Sequence, residues 1–167
     1  IVPVPFGSAQ DEIDALLKDI KVNFLIFAQG SYPQTNAQAI GEKLFITKLK
    51  VKGRINPDFY KINPAFIRFS SGTTGTNKGV VFSHKSIIQR TEAANKGLKI
   101  APNEQIIWVL SMSFHFVVTI LLFLRRGATI ILSSRNFPPD LLHNLNCYRA
   151  TFIYASPLHY HLLACLN

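Results

Sequence analysis

The sequence predicts an α/β fold in which helices cover both faces of a mostly parallel sheet, with an added β-hairpin that carries a glycine-rich loop. Three observations lead to this prediction. Strand and helix patterns alternate three times after residue 105, the strands are almost continuously apolar, and 48% of the 167 residues are hydrophobic. Apolar strands that alternate with helices are typical of a covered parallel sheet. No second boundary interrupts the pattern, so residues 1–167 are expected to form a single domain or part of one.

The first half of the chain begins with a helix. Ser8 and Asp11 have the spacing of a capping box, and apolar residues then recur at helical spacing, which predicts an amphipathic helix over residues 9–21. The next expected elements are a buried strand, an exposed edge strand and a connector with two prolines, over residues 22–28, 44–51 and 53–64.

The second half contains the hairpin and the repeated strand-helix units. Two strand patterns, residues 65–69 and 80–82, flank a polar loop and predict the hairpin. Ser83 is expected to cap a helix that runs to about Gly97. Its inner face should carry Ile87, Ile88 and Thr91. Strands are then expected over residues 106–110, 128–132 and 151–155, and helices over residues 116–126, 139–148 and 157–166.

Residues 70–79 read Ser-Ser-Gly-Thr-Thr-Gly-Thr-Asn-Lys-Gly and form the loop of the hairpin. Glycines let backbone N–H groups approach an anion, hydroxyls add hydrogen-bond donors, and the Lys78 ammonium adds a positive charge. An ordinary polar turn has a similar composition. The loop is not a Walker A motif, because Asn77 stands where the second glycine should be and Gly79 follows the lysine. A phosphate site of another kind is therefore predicted.

The loop resembles the signature phosphate loop of the adenylate-forming, or AMP-binding, enzymes. This superfamily includes acyl-CoA synthetases, firefly-type luciferases and the adenylation domains of peptide synthetases. Only Asn77 departs from the pattern, since the family usually carries proline there. The interval from His115 to Gly127 looks shorter than in the commonest members. Weaker similarities follow in the family's order, at residues 3–27, 80–84, 108–115, 124–129 and 151–157.

The resemblance implies an ATP-dependent carboxylic acid ligase that forms an acyl-adenylate and passes the acyl group to the thiol of coenzyme A or of a carrier protein. The residues implied to hold the β- and γ-phosphates of ATP are Ser71, Gly72, Thr73, Thr74, Gly75, Thr76 and Lys78. Magnesium is implied as well, with its ligand expected outside this chain. The many apolar residues after His115 suit a fatty or other apolar acid, and they equally suit a plain core.

Two histidines are candidates for further roles. The resemblance places His115 between the nucleotide and acyl pockets, where it would line the substrate carboxylate, but a hydrogen-bonded histidine at a strand end fits as well. His84 is expected to support the loop from the start of a helix. His161 and Cys165 lie one helical turn apart, but two ligands do not make a metal site, and none is predicted. Both cysteines are expected to be buried.

Composition and charge limit which other kinds of partner and location the sequence allows. Lys and Arg number 18 against nine Asp and Glu, a formal charge of +9 that favours an anionic partner. The densest basic group is interpreted as a solvated strand face rather than a nucleic-acid patch; it comprises Lys43, Lys48, Lys50, Lys52 and Arg54. Residues 106–124 carry no formal charge, yet their polar groups argue against a membrane span. Two cysteines and no leader pattern indicate a cytoplasmic protein.

Three functions therefore stay open, led by the acyl-CoA or acyl-carrier-protein synthetase. The second is an amino-acid adenylation domain of a peptide synthetase. Outside the family, a noncatalytic basic α/β module would bind nucleic acid or another polyanion. The family's later motifs, a Tyr-Gly-x-Thr-Glu segment, a ribose-binding Asp and a lysine of the C-terminal lid domain, are absent from these residues. We therefore expect a segment of the large N-terminal AMP-binding domain, without the lid, that cannot form an acyl-adenylate alone.

Overall fold

The computed structural model describes residues 1–4, 7–33, 35–50, 53, 55–70, 78–111, 115–133 and 138–166, and for Ser70 and Lys78 it describes the backbone alone. The chain forms two compact units, Val4–Asn63 and Pro64–Asn167, and Ile1–Pro3 belong to the second. The helices are α1 Gln10–Ile20, α2 Asp58–Lys61, α3 His84–Leu98, a π-helical segment Phe116–Ile120 that continues as α4 Leu121–Arg125, α5 Pro138–Cys147 and α6 Pro157–Ala164. The strands are β1 Phe24–Ala28, β2 Gln38–Ala39, β3 Leu44–Lys48, β4 Pro64–Ser70, β5 Lys78–Ser83, β6 Gln105–Trp108, β7 Thr129–Leu132 and β8 Phe152–Tyr154.

The helix that opens the Val4–Asn63 unit begins one residue later than the expected cap. Ala9 precedes α1, and its N–H donates to Oε2 of Glu12 at 3.1 Å. The predicted capping box of Ser8 and Asp11 is therefore wrong. Glu12, three residues after Ala9, reaches back to the helix start, and acidic side chains in a first turn also favour the helix dipole. The helix ends where Lys21 adopts a left-handed conformation, with φ 49°.

An antiparallel sheet in the order β1-β3-β2 completes this unit. Phe27 of β1 is buried, stacks on its cross-strand partner Phe45 at 5.9 Å, and meets the Tyr32 ring edge-on. The expectation that β1 is buried throughout is wrong, since Phe24 and Ile26 are 57% and 60% exposed. In a strand, alternate side chains point to opposite faces, and only the Phe27 face of this sheet is packed within the unit. The strand β3 is also central rather than at an edge.

The Pro64–Asn167 unit contains the predicted hairpin and a parallel sheet. In the hairpin β4 and β5 are antiparallel, and Ile1 adds to β4, because its ammonium donates to the Ala65 carbonyl and its own carbonyl accepts from the Ile67 N–H. The parallel sheet has the order β7-β6-β8. The prediction of a parallel sheet and a hairpin is confirmed.

Helices cover both faces of the parallel sheet, as expected from its apolar strands. Ile106 and Trp108 of β6 face a core with α3 and α4 that includes Phe123. Ile107 faces a second core with α5 and α6 that includes Leu141. These side chains are at most 3% exposed, so β6 is the buried centre of the unit. A third cluster joins the hairpin to α3 and the π-helical segment, through Phe66, Ile87 and Val117.

Three further expectations differ from the structure. The connector before β4 contains the short helix α2, which the prolines around it do not prevent, because Pro57 lies at the helix start. Ile88 is 45% exposed, whereas Ile87 and Thr91 face the core as expected. Cys147 and Cys165 are exposed rather than buried, since each lies at the end of a helix.

Candidate functional site

The hairpin holds the ends of the predicted phosphate loop at a fixed register. Ser70 at the end of β4 pairs with Lys78 at the start of β5, and the next pair is Phe69 with Gly79. Of the seven predicted phosphate-binding residues, Lys78 is described by its backbone alone. The other six lie outside the described residues; they are Ser71, Gly72, Thr73, Thr74, Gly75 and Thr76. The structure thus describes the two strands that flank the loop, and the phosphate-binding role of the loop residues stays a prediction.

Gly79 lets the two strands approach each other at the base of the loop. A Cβ atom at this position would meet Cε1 of Phe69 at 3.2 Å and Cγ2 of Ile67 at 3.4 Å. Contacts this short require the neighbouring side chains to shift. The last glycine of the motif therefore has a packing reason, in addition to any role of the loop itself.

The other end of β5 passes directly into α3. The hydroxyl of Ser83 accepts the N–H of Ser86 at 3.1 Å, and the Ser86 hydroxyl donates to the Ser83 carbonyl at 2.9 Å. This is the predicted N-cap. His84 is the first residue of α3 and is exposed, in agreement with its expected place at a helix start.

His115 lies at the carboxyl edge of the parallel sheet, immediately before the π-helical segment. Its ring meets two aromatic rings edge-on, Trp108 at 5.7 Å and Tyr154 at 5.8 Å between centroids. These two rings end β6 and β8, are cross-strand partners, and stack at 5.3 Å. The carboxyl ends of parallel strands are where open α/β sheets bind their ligands. The structure therefore places His115 at the edge where a ligand is expected.

The hairpin brings a cation to this histidine. Phe66 and Arg68 lie on the same face of β4, and Phe66 stacks on Phe116, the residue after His115, at 5.6 Å. The Arg68 side chain is half-buried, and its Nε atom is inaccessible to solvent. Arg68 precedes the predicted phosphate loop by two residues. The strand that leads into the loop thus also reaches the carboxyl edge of the sheet.

Burial lowers the pKa of His115 from its usual 6.5, and the nearby positive charge of Arg68 lowers it further. Both causes disfavour the imidazolium ion. The imidazole is therefore neutral at pH 7, with one nitrogen that donates a hydrogen bond and one that accepts. A neutral ring can contact a substrate carboxyl group without a strong ion pair.

Three residues of this site were missed by the sequence analysis. Trp108 and Tyr154 were placed in strands and in stretches weakly similar to the family, with no role at the site, and Arg68 was placed only in a strand pattern. Their meeting with His115 depends on the parallel pairing of β6 with β8 and on the packing of the hairpin, neither of which a local pattern contains. An arginine two residues before the glycine-rich loop was the one local signal of a cation near the site.

The described part of the chain contains neither a metal-binding cluster nor a membrane span. It holds no group of three or more His, Cys, Asp or Glu side chains close enough to bind a metal ion. His159, two residues before His161, contacts the Ser156 hydroxyl through Nδ1 at 2.7 Å at the start of α6. No helix among these residues is long and apolar enough to cross a membrane.

Comparison with known proteins gave a family and several relatives. A family model described as AMP-binding enzyme matches residues 1–167. A linear gramicidin synthase of Brevibacillus parabrevis is 26% identical over 164 residues, which are 91% of this chain and 2% of that protein. 4-Coumarate--CoA ligase 3 of Arabidopsis thaliana is 37% identical over 93 residues, which are 52% of this chain and 17% of that protein.

Solved structures agree at the level of the fold. One is the O-succinylbenzoate coenzyme A synthetase of Bacillus subtilis in complex with ATP and magnesium, with a TM-score of 0.52 and 22% identity. The match covers 61% of this chain and 22% of that one. The chain thus spans less than a quarter of the length of each of these three proteins.

Proposed function

Because the chain belongs to the family of AMP-binding enzymes, we propose that it supplies the phosphate-binding part of an ATP-dependent carboxylic acid ligase. In this reaction a carboxylate oxygen attacks the α-phosphate of ATP, the bond to the β-phosphate breaks, and pyrophosphate leaves. The acyl-adenylate then passes its acyl group to a thiol, of coenzyme A or of a carrier protein, and AMP is released. The observation that supports this proposal is the glycine-rich loop, in a hairpin whose first strand also reaches His115.

The chain's residues would act by positioning and by charge. Backbone N–H groups and hydroxyls of residues 71–76, with the Lys78 ammonium, would hold the β- and γ-phosphates and stabilise the charge that develops on pyrophosphate. His115 would contact the substrate carboxyl group as a neutral ring. Magnesium, when bound, neutralises phosphate charge. The described residues hold no group of three or more His, Cys, Asp or Glu side chains, and the protein ligand for magnesium is expected outside this chain.

The surroundings of His115 favour an acid without an α-amino group. An amino acid substrate brings an ammonium group, which needs a negatively charged or strongly accepting partner when it leaves water. Among the described residues, the charge that acts on His115 is the positive charge of Arg68. Like charges at short distance oppose binding. An acyl-CoA or acyl-carrier-protein synthetase is therefore the leading proposal, with an apolar acid as substrate, and amino-acid adenylation by a peptide synthetase is the second.

Nucleotide binding by Lys78→Ala tests the phosphate site. We expect this substitution to weaken binding of pyrophosphate and of ATP with magnesium at least about tenfold, because it removes a charge-assisted contact to phosphate. Isothermal titration calorimetry measures both ligands. Lys85→Ala is the matched control, since Lys85 is exposed in the first turn of α3 and its loss changes the net charge equally.

Equal weakening by the two substitutions would contradict the proposal and indicate an effect of net charge. The noncatalytic alternative predicts a different pattern. A basic module would bind an oligonucleotide with a steep salt dependence, and Lys78→Ala would leave that binding intact. Such a result, with no binding of ATP by the unsubstituted chain, would favour the alternative.

A further inference from the structure

A pocket in the Val4–Asn63 unit has no place in the proposed reaction. Its volume is about 370 Å³, within the usual range for small-molecule sites. It lies between α1, the residues just before β1 and the end of β3. Its lining residues are Asp14, Leu17, Lys18, Lys21, Val22, Tyr32, Leu49 and Lys50. All of these residues belong to the same compact unit.

The pocket combines an apolar surface with positive charge. Leu17, Val22 and Leu49 are half-buried and supply the apolar part. Lys18 and Lys21 lie on one face of α1 and around its end, because residues three and four apart are neighbours on a helix. Lys50 follows β3. The basic residues that the sequence presents as one solvated strand face are thus divided, since Lys50 lines this pocket and Lys43 and Lys48 are not among its lining residues.

Positive charge exceeds negative charge in this lining. Among the described lining residues, three lysines stand against the carboxylate of Asp14, a balance of +2. That carboxylate is already engaged, because its Oδ1 accepts the Tyr32 hydroxyl at 2.9 Å and the Gln10 amide at 3.1 Å. Burial raises the pKa of Tyr32, and the hydrogen bond to Asp14 raises it further, so the phenol stays protonated.

We propose that this pocket binds a small amphipathic anion, one phosphate or carboxylate group attached to a compact apolar body. Lysine ammonium groups attract the anionic head, and the half-buried leucine and valine side chains accept the apolar body. A pocket of this volume has room for a single aromatic ring with its head group. None of its lining residues belongs to the proposed ATP phosphate loop, whose residues lie in the other unit.

Phenyl phosphate is the probe, and an NMR titration of the chain measures its dissociation constant. The test variant is Lys18→Ala with Lys50→Ala, and the matched control is Lys43→Ala with Lys48→Ala. All four lysines are exposed, so circular dichroism should show an unchanged fold. Each pair removes two charges from the same unit. We expect the dissociation constant to rise at least about tenfold in the test variant and less than about twofold in the control. Equal effects of the two pairs overturn the proposal.

Two further probes separate the head group from the apolar body. Inorganic phosphate should bind more weakly than phenyl phosphate, and benzyl alcohol should not bind. Equal binding of inorganic and phenyl phosphate overturns the amphipathic class. Phenyl phosphate should also bind Lys78→Ala as it binds the unsubstituted chain. A loss in that variant would show that the probe occupies the ATP phosphate loop, and it would overturn the separate site without affecting the proposed function.

Discussion

The environment of His115 is formed by residues that are distant from it in the sequence. The family resemblance singled out this histidine, and two interpretations stayed open, a substrate contact or a hydrogen-bonded residue at a strand end. Its position could not be derived further, because the rings of Trp108 and Tyr154 reach it only through parallel strand pairing. The charge of Arg68 reaches it only through the hairpin. Local patterns can name such a residue but cannot give its environment.

The lowered pKa of His115 has a consequence for stability. The unfolded chain, with a histidine pKa near 6.5, binds a proton at a higher pH than the folded chain does. The folding stability associated with the neutral His115 ring is therefore complete above pH 6.5. It is lost as the pH falls from 6.5 through the lowered pKa of the folded state. Below both values the folded chain carries the imidazolium at the cost of burying it beside Arg68.

The histidine titration can be measured directly by NMR. We expect the pKa of His115 to lie below 6.5 and Arg68→Met to raise it part of the way back, because burial, the larger cause, remains. Arg90→Met is the control, since Arg90 is exposed on α3, over the Phe82 ring. It should leave the titration unchanged. A His115 pKa at or above 6.5 would contradict the effect of burial and of Arg68 on this histidine.

At the scale of elements, one arginine links α3 to α4. Thr91 is fully buried on α3, and its one hydroxyl proton is shared between the carbonyls of Ile87 and Ile88, at 3.0 and 2.9 Å. The same hydroxyl accepts a hydrogen bond from Arg125 at the end of α4. Arg125 also pairs with Glu92 at 3.3 Å. The buried Thr91 hydroxyl of α3 and the Arg125 guanidinium at the end of α4 thus provide hydrogen-bond partners for each other.

Removal of this link should destabilise the chain measurably. Hydrogen bonds to charged groups contribute about 1.5–3 kcal/mol, and the partial exposure of Arg125 reduces that value. We expect Arg125→Ala to lower the free energy of unfolding by about 1 kcal/mol, measured by urea denaturation. The neighbouring Arg126→Ala is the control, because its exposed side chain should change stability by less than about 0.5 kcal/mol. Similar effects of the two substitutions would contradict the role of Arg125.

Element types were more predictable than their burial. Strong signals, such as the Ser83 cap and the glycine at residue 127, placed helix ends within one or two residues, and Gly127 does adopt φ 74°. The burial of β1 was wrong, because an apolar run does not tell which of its two faces a neighbouring element covers. The π-helical segment was expected as ordinary helix, since a change from i+4 to i+5 bonding leaves the apolar pattern almost unaltered.

At the scale of the whole molecule, the comparisons with known proteins show the family and the fold of the chain, and the relatives act on different substrates. The relatives include a peptide synthetase and a coenzyme A ligase, and the chain spans 2% and 17% of them. The sequence predicted the family because one long loop motif is specific. It could not predict the acid, because the pocket for the acyl group depends on packing that few local residues determine.

Matched substrates can separate the two proposed ligase classes in the whole protein. Hexanoate and norleucine share a carbon chain and differ in the ammonium group. We expect hexanoate to support ATP–pyrophosphate exchange at least about tenfold better, because an ammonium beside Arg68 meets a like charge. Arg68→Met should reduce the ratio of the exchange rate with hexanoate to that with norleucine, whereas Arg90→Met should leave that ratio unchanged. A preference for norleucine would instead support amino-acid adenylation.

The π-helical segment after His115 has a consequence for how such a site can change. Its defining bond runs from the Leu121 N–H to the Phe116 carbonyl, one residue farther than in an α-helix. One residue corresponds to about 100° of rotation in an α-helix. We expect a single-residue deletion here to restore regular helix and to rotate His115 relative to the buried residues Leu122 and Phe123. The segment thus couples the orientation of His115 to the packing of Val117, Thr119 and Ile120, which are buried within it.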